Sequence, residues 1–143
     1  MNVKTIIGTN GRSVITALES DKVNDVAATL QANKIGAIVI CNDGVHVDGI
    51  VSERDIVHGL VEHGASLLDR EISLVMTRDV VTCAPEEGID DLMAKMSGRR
   101  IRHLPCVEGD RLCGMVSIGD VVKCRLVEIE AEAEAMRAYI ATG

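Results

Sequence analysis

The stretch GIVSERDIV, residues 49–57, returns 65 positions later as GMVSIGDVV, residues 114–122. Each copy places a glycine, an apolar run, a serine, two variable residues, an aspartate and further apolar residues in the same order. Ser-x-x-Asp at the end of a β-like run has two readings. It is a helix capping box, with Ser52 or Ser117 at the N-cap and Asp55 or Asp120 three residues on, satisfying orphan amides. It is also a helix start whose N–H groups and partial positive charge suit an anionic ligand.

The duplication extends well beyond the motif, and such periods organise a fold before anything else does. A shift of 66 sets Val14 and Thr16 on Val80 and Thr82, Arg12 on Arg78, Asp25 on Asp91 and Ile35 on Ile101. One deleted residue in a hairpin then reduces the shift to 65. Both copies read as the same elements. A short β segment (RSVIT, RDVVT) precedes a helix, with Val23, Val26, Ala27 and Leu30 on one face, matched by Ile89, Leu92, Met93 and Met96. A buried strand (GAIVIC, RHLPCV), a turn (NDG, EGD) and a second strand lead into another helix. Pro105 cannot donate to a ladder, so an edge or a ligand-facing bulge is expected there. The expected fold is mixed α/β (α+β): two β-α-β-β-α repeats packed by pseudo-twofold symmetry. Residues 10–63 form repeat 1, 64–75 a short linking helix, 76–126 repeat 2, and 127–143 a C-terminal helical extension. One unit of about 60 residues is marginal alone, so the two should pack together. Leu126, Ile129, Ala133, Met136 and Ile140 recur at spacings of three and four, an apolar stripe on a polar rod that packs on its own domain or on a second subunit.

Composition narrows the function. Fifteen Lys and Arg against 22 Asp and Glu give a net charge of −7, which disfavours DNA and acidic membranes as partners. Tyr139 is the sole aromatic, so stacking platforms for single-stranded nucleic acid are missing. The cysteines, Cys41, Cys83, Cys106, Cys113 and Cys124, form no C-x-x-C and read as small apolar residues in a reducing compartment. No apolar run is long enough for a signal peptide or a membrane span, and a cytoplasmic protein is expected.

The repeat pair, GIVSERD, RHLP and GMVSIGDVVK together resemble tandem CBS domains, named for cystathionine β-synthase, and are most similar to small stand-alone bacterial CBS-pair proteins. The resemblance covers the chain except its two ends. It implies a disc-like module, often a homodimer, that is regulatory rather than catalytic and binds adenine nucleotides between its repeats. On that resemblance Asp55 and Asp120 grip ribose hydroxyls, and Ser52 and Ser117 hold a phosphate or sugar oxygen. Backbone near Val14 to Thr16 and Val80 to Thr82 reads the adenine edge. Ile35, Gly36 and Ala37 form one wall, and Arg102, His103 and Pro105 the equivalent wall. Arg99, Arg100, Arg102 and His103 concentrate positive charge for phosphates, although exposed arginines are also ordinary surface. Arg54 sits at a helix start, where the dipole does not favour a cation; its equivalent is Gly119. The two sites are therefore not expected to bind identically.

The expected ligand is AMP, ADP, ATP or NAD(H), with S-adenosylmethionine open, and its occupancy is passed to a regulated protein. No catalytic cofactor, no metal and no enzymatic activity are expected. His58 and His63 lie about 140° apart on a helix and cannot share a metal. GTNGRS is not a P-loop, and Ser52, Asp55 and His58 lack a nucleophile elbow. The rivals are a ligand-free dimerisation or interaction module, whose Ser-x-x-Asp pairs only cap helices, and a redox enzyme working through Cys106 or Cys113.

Overall fold

The computed structural model describes residues 1–10 and 14–142. In chain order its elements are α1 (Val3–Asn10), β1 (Thr16–Ala17), α2 (Val23–Asn33), β2 (Ala37–Ile40), β3 (Gly49–Ser52), α3 (Glu53–His63), two 3₁₀ turns (Gly64–Asp69 and Ile72–Leu74), α4 (Ile89–Arg99), β4 (His103–Glu108), β5 (Arg111–Ser117) and α5 (Ile118–Thr142). The architecture is mixed α/β, and the chain divides into two units. One comprises Ser13–Val81 with Val107–Cys113; the other comprises Met1–Arg12, Thr82–Cys106 and Gly114–Gly143. Arg12 and Ser13, the start of the first expected β segment, lie outside the described residues.

In the repeat-1 unit, β1 runs parallel to β2 with Ala17 opposite Ile40, and β2 pairs antiparallel with β3, Ala37 facing Ser52 and Ile40 facing Gly49. β2 is buried at all four positions, as its unbroken apolar run implies. Helix α2 closes the core with Val23, Val26 and Leu30, and Ala27 is half-buried beside them. The chain leaves the helix through Lys34 in the left-handed conformation, φ 53°.

Repeat 2 builds the same pattern with less sheet. β4 and β5 form a hairpin whose turn residues, Gly109 and Asp110, both have positive φ (54° and 64°), as a tight two-residue hairpin turn requires. The expected β segment RDVVT contracts to one parallel bridge, Cys83 opposite Cys106. It matches the Ala17–Ile40 pair at the 66-residue shift. Val80 N–H turns back to Arg78 O before the bridge, and Pro85, which has no N–H, follows it. Pro105 does not take the expected edge position: its strand β4 pairs with β5 on one side and bridges Cys83 on the other, and the missing N–H is tolerated because that second contact is a single bridge; Pro105 is buried, its carbonyl accepting Cys83 N–H at 2.9 Å. On α4, Ile89, Leu92 and Met96 are buried as expected, whereas Met93 is 39% exposed and lies off the core face.

Two segments behave differently from their sequence reading. Residues 64–75, a linking helix by sequence, form 3₁₀ turns that close the repeat-1 unit: Leu67 and Ile72 are fully buried in its core. Val23 N–H donates to Arg70 O (2.9 Å), Ile72 N–H to Asp21 O (2.7 Å), and Ile50 bridges Thr77. Each such buried side chain contributes about 1.5–3 kcal/mol. The N-terminal α1, unmarked in the sequence reading, plays the same part in the repeat-2 unit. Val3 and Ile6 are buried, Val3 N–H bonds Glu87 O and Lys4 N–H bonds Pro85 O. The motif glycines now have a packing reason. A Cβ on Gly49 would meet Thr77 O at 3.0 Å and Met76 Sδ at 3.1 Å, and a Cβ on Gly114 would meet Ile7 Cδ1 at 2.6 Å. In both units the absent side chain makes room for the closing segment.

Helix α5 is continuous from repeat 2 into the extension, with no break near residue 126. No helix among the described residues is long and apolar enough to cross a membrane.

Candidate functional site

The serine and aspartate of each copy meet at the junction of a strand and a helix. In repeat 1, Ser52 caps α3 with extended backbone (φ −107°, ψ 165°) and a complete capping box. Ser52 N–H and Oγ–H donate to Asp55 Oδ2 at 2.9 and 3.1 Å, and Asp55 N–H donates to Ser52 Oγ at 3.3 Å. Repeat 2 reproduces this closely. Ser117 N–H and Oγ–H reach Asp120 Oδ2, both at 3.0 Å, and Asp120 N–H reaches Ser117 Oγ at 3.2 Å. A fourth bond ties each helix start to the preceding wall. Glu53 N–H donates to Gly36 O at 3.0 Å, and Ile118 N–H to Arg102 O at 2.8 Å.

The structure thus brings Gly36, Ala37, Ser52 and Asp55 together in one unit, and Arg102, Ser117 and Asp120 in the other, each by the same backbone geometry. Capping fixes the carboxylate through one oxygen. At Asp55 both bonds fall on Oδ2, and Oδ1 has no hydrogen-bond partner among the described residues. A half-buried carboxylate held this way is oriented without being saturated.

The other sequence candidates are placed as follows. Val14 and Ile35 are half-buried, and Thr16 is exposed on β1. Ala37 and Pro105 are buried, so their side chains belong to the cores, while Gly36 and His103 are half-buried and Arg102 is exposed. Arg54 is exposed on the first turn of α3. Arg99 ends α4, and Arg100 is its C-cap in the left-handed conformation, φ 54°, the counterpart of Lys34. Cations at a helix C-terminus are favoured by its carbonyls, which gives Arg99 and Arg100 a local role besides any anion. Val80 and Thr82 are half-buried.

Sequence reasoning missed Lys95. Its Nζ donates to Thr82 O at 2.9 Å and pairs with Glu87 Oε1 at 2.8 Å, and Glu87 also accepts Ala84 N–H. The Thr82 carbonyl, expected to face an adenine edge, therefore already has a cationic partner. The 66-residue shift puts Thr29 at the equivalent place in repeat 1, where its hydroxyl bonds Asp25 O. That Lys-for-Thr difference was visible in the aligned copies, but only tertiary structure gave it a partner. Cys41, Cys83, Cys106 and Cys124 are buried, and Cys113 is half-buried. Burial, then Asp48 and Asp43, pushes the Cys41 thiol up; burial, then Glu128, does the same at Cys124. Neither is a ready thiolate. Among the described residues no cluster of His, Cys, Asp and Glu has the makings of a metal site.

A duplicated strand–helix junction on a β-α-β-β-α repeat defines the class. The chain belongs to the CBS domain family, matching it over residues 4–62 and 70–126, and the CBS pair is a regulatory module. It is similar to the crystal structure of the CBS-domain containing protein ATU1752 from Agrobacterium tumefaciens, at 42% identity and a TM-score of 0.84, covering 87% of this chain and 99% of that one. It is also similar to the CBS domain pair of protein MJ0100, solved in complex with 5-methylthioadenosine and S-adenosyl-L-methionine, at 26% identity and a TM-score of 0.79, covering 90% and 98%. Among curated proteins it is 32% identical over 127 residues to the mitochondrial CBS domain-containing protein CBSX3 of Arabidopsis thaliana, covering 86% of this chain. The chain spans 62% of that protein's length, and 32% and 39% of two further relatives.

Proposed function

We propose that this chain is a non-catalytic sensor that takes adenosine-containing ligands at its two Ser-x-x-Asp helix starts and passes occupancy to a regulated protein. The observation that carries this reading is the pair of matching junctions, each capping its helix through a carboxylate Oδ2 beside the helix N-terminus, with Asp55 Oδ1 left over in repeat 1. Asp55 and Asp120 accept the ribose hydroxyls, Ser52 and Ser117 a phosphate or sugar oxygen. The ligand class is AMP, ADP, ATP, NAD(H) or S-adenosylmethionine; the MJ0100 pair, with its two adenosine ligands, supports the adenosine part. Lys95 on Thr82 O in one repeat and Thr29 in the other support unequal sites. The module acts as a homodimer, and its mostly buried cysteines, packed as small apolar residues, fit a reducing compartment such as the cytoplasm. Signalling requires that the ligand bind two conformations of the protein unequally.

The second reading, a ligand-free interaction module, is favoured by the completeness of the α3 capping box, which accounts for Ser52 and Asp55 without any ligand. Mass spectrometry of small molecules released from the native protein, followed by thermal shift with the nucleotide panel, separates the two. A ligand at 100 times its Kd adds about 2.7 kcal/mol to stability. No released nucleoside and no shift with any member of the panel favours the second reading.

A further inference from the structure

Helix α5 carries an exposed seam that its own unit does not cover. Val121 and Cys124 are its buried residues. Val122, Leu126, Ile129, Met136 and Ile140 lie on another face and are between 47% and 70% exposed. With half-buried Ala133 they alternate at four and three residues from 122 to 140, a heptad seam with Leu126, Ala133 and Ile140 at a and Val122, Ile129 and Met136 at d. An apolar stripe this long on an exposed helix marks an interaction surface.

The charges flanking the seam identify its occupant. Arg125 and Glu132 fall at g, Glu130 and Arg137 at e. When two copies lie parallel and in register, each g residue faces the e residue five positions on in the other copy. Arg125 then meets Glu130, and Glu132 meets Arg137, on both edges, and all four pairs are of opposite sign. The antiparallel arrangement of equal overlap, with Leu126 beside Met136 of the other copy, instead sets Glu132 against its own counterpart. Within the chain Arg125 pairs with Glu128 at 3.1 Å and Arg137 with Glu134 at 4.0 Å, while Glu130 and Glu132 have no ion pair among the described residues. The alanine at the central a position lets two helices approach closely, whereas a three- or four-stranded bundle would leave a void there.

We propose that α5, from Val122 to Ile140, forms a parallel, in-register, two-stranded coiled coil with a second copy of this chain. The proposal rests on the homodimer reading and specifies its surface and direction.

Two charge-swapped chains test it. The g swap, Arg125→Glu with Glu132→Arg, and the e swap, Glu130→Arg with Arg137→Glu, each turn all four pairs into like-charge contacts. Sedimentation equilibrium of either swap alone should show a dimer Kd raised on the order of 100-fold over the parent. An equimolar mixture should restore the parent's affinity as a heterodimer, which a mere loss of helix stability would not allow. In addition, Met136→Cys should give a 136–136 disulfide peptide on mild oxidation, and Ala131→Cys, on the outer face, should not. A dimeric parent whose two swaps dimerise unchanged, or whose mixture is not rescued, or which lacks the 136–136 peptide, overturns the coiled coil while leaving the homodimer reading intact. A monomeric parent, or one of three or more chains, overturns both.

Discussion

Replacing Asp55 with alanine removes two things at once, and Ser52→Ala separates them. Asp55→Ala deletes the carboxylate that accepts Ser52 N–H and Oγ–H. It also removes a negative charge from the first turn of α3. The capping loss is about 0.5–2 kcal/mol and the helix-dipole loss about 0.3–1 kcal/mol. A combined ~2 kcal/mol, at roughly 2.1 cal/mol/K of unfolding entropy per residue over 143 residues, lowers Tm by about 6–7 °C. Ser52→Ala removes the hydroxyl bonds but keeps the backbone bond from residue 52 to Asp55 Oδ2 and keeps the carboxylate. Its stability loss is about 1 kcal/mol. Nucleotide binding should split the variants more widely. Losing a hydrogen-bonded carboxylate costs about 1.5–3 kcal/mol, or roughly 10- to 150-fold in Kd, and losing a neutral hydroxyl contact about 0.5–1.5 kcal/mol. Urea unfolding reads the first quantity, and calorimetric titration with AMP, ATP and NAD(H) reads the second. If Asp55→Ala is destabilised as expected yet binds as tightly as the parent, the aspartate is a cap alone. Equal loss of affinity in both variants would likewise remove its separate role on the ribose.

Three further outcomes follow from the packing and the charges. Gly114→Ala drives a Cβ into Ile7 and should destabilise the protein by about 1–3 kcal/mol; in an Ile7→Ala background the same change should cost little, a non-additivity that urea unfolding of the four variants measures. Ile72→Ala empties a fully buried position beside Leu67 and should cost about 2–5 kcal/mol, whereas a residue in a mere linker would cost almost nothing. In the β2–β3 loop, the hydrogen bond that His46 Nδ1–H donates to Asp43 Oδ2 and then the Asp43 charge raise the His46 pKa above 6.5, while that same bond and then backbone N–H groups hold Asp43 well below 3.8. The raised histidine stabilises the loop below 6.5 and loses this as pH rises through its folded pKa; the depressed aspartate does so above 3.8 and loses it as pH falls. The pair therefore contributes most between those two values, and NMR titration should find the His46 midpoint above 6.5, returning toward it in Asp43→Asn.

Much of this molecule was legible one residue at a time. The duplicated Ser-x-x-Asp fixed both helix starts, because a capping box is satisfied within four residues and needs no distant partner. Apolar spacing placed Val23, Val26 and Leu30, and likewise Ile89, Leu92 and Met96, on the core faces of two helices, and the missing residue between repeats marked the tighter hairpin at Gly109 and Asp110. Met93 shows where spacing stops informing: it shares the helical period of Met96 but not its burial, since a period describes the angle around a helix and not the width of the surface above it.

The sequence by itself determined the repeat, the mixed α/β class and the capped junctions on which the candidate site rests. Tertiary structure alone decided that residues 64–77 complete the core around α2, that α1 is enclosed with repeat 2, that Lys95 occupies the Thr82 carbonyl, and that the seam on α5 stays uncovered by its own unit. The division has one physical cause. Caps, turns and helical periods are contacts between near neighbours, written in local order. Which apolar face covers which is settled by shape and volume between segments dozens of residues apart, and an apolar residue carries no mark of the partner it will meet.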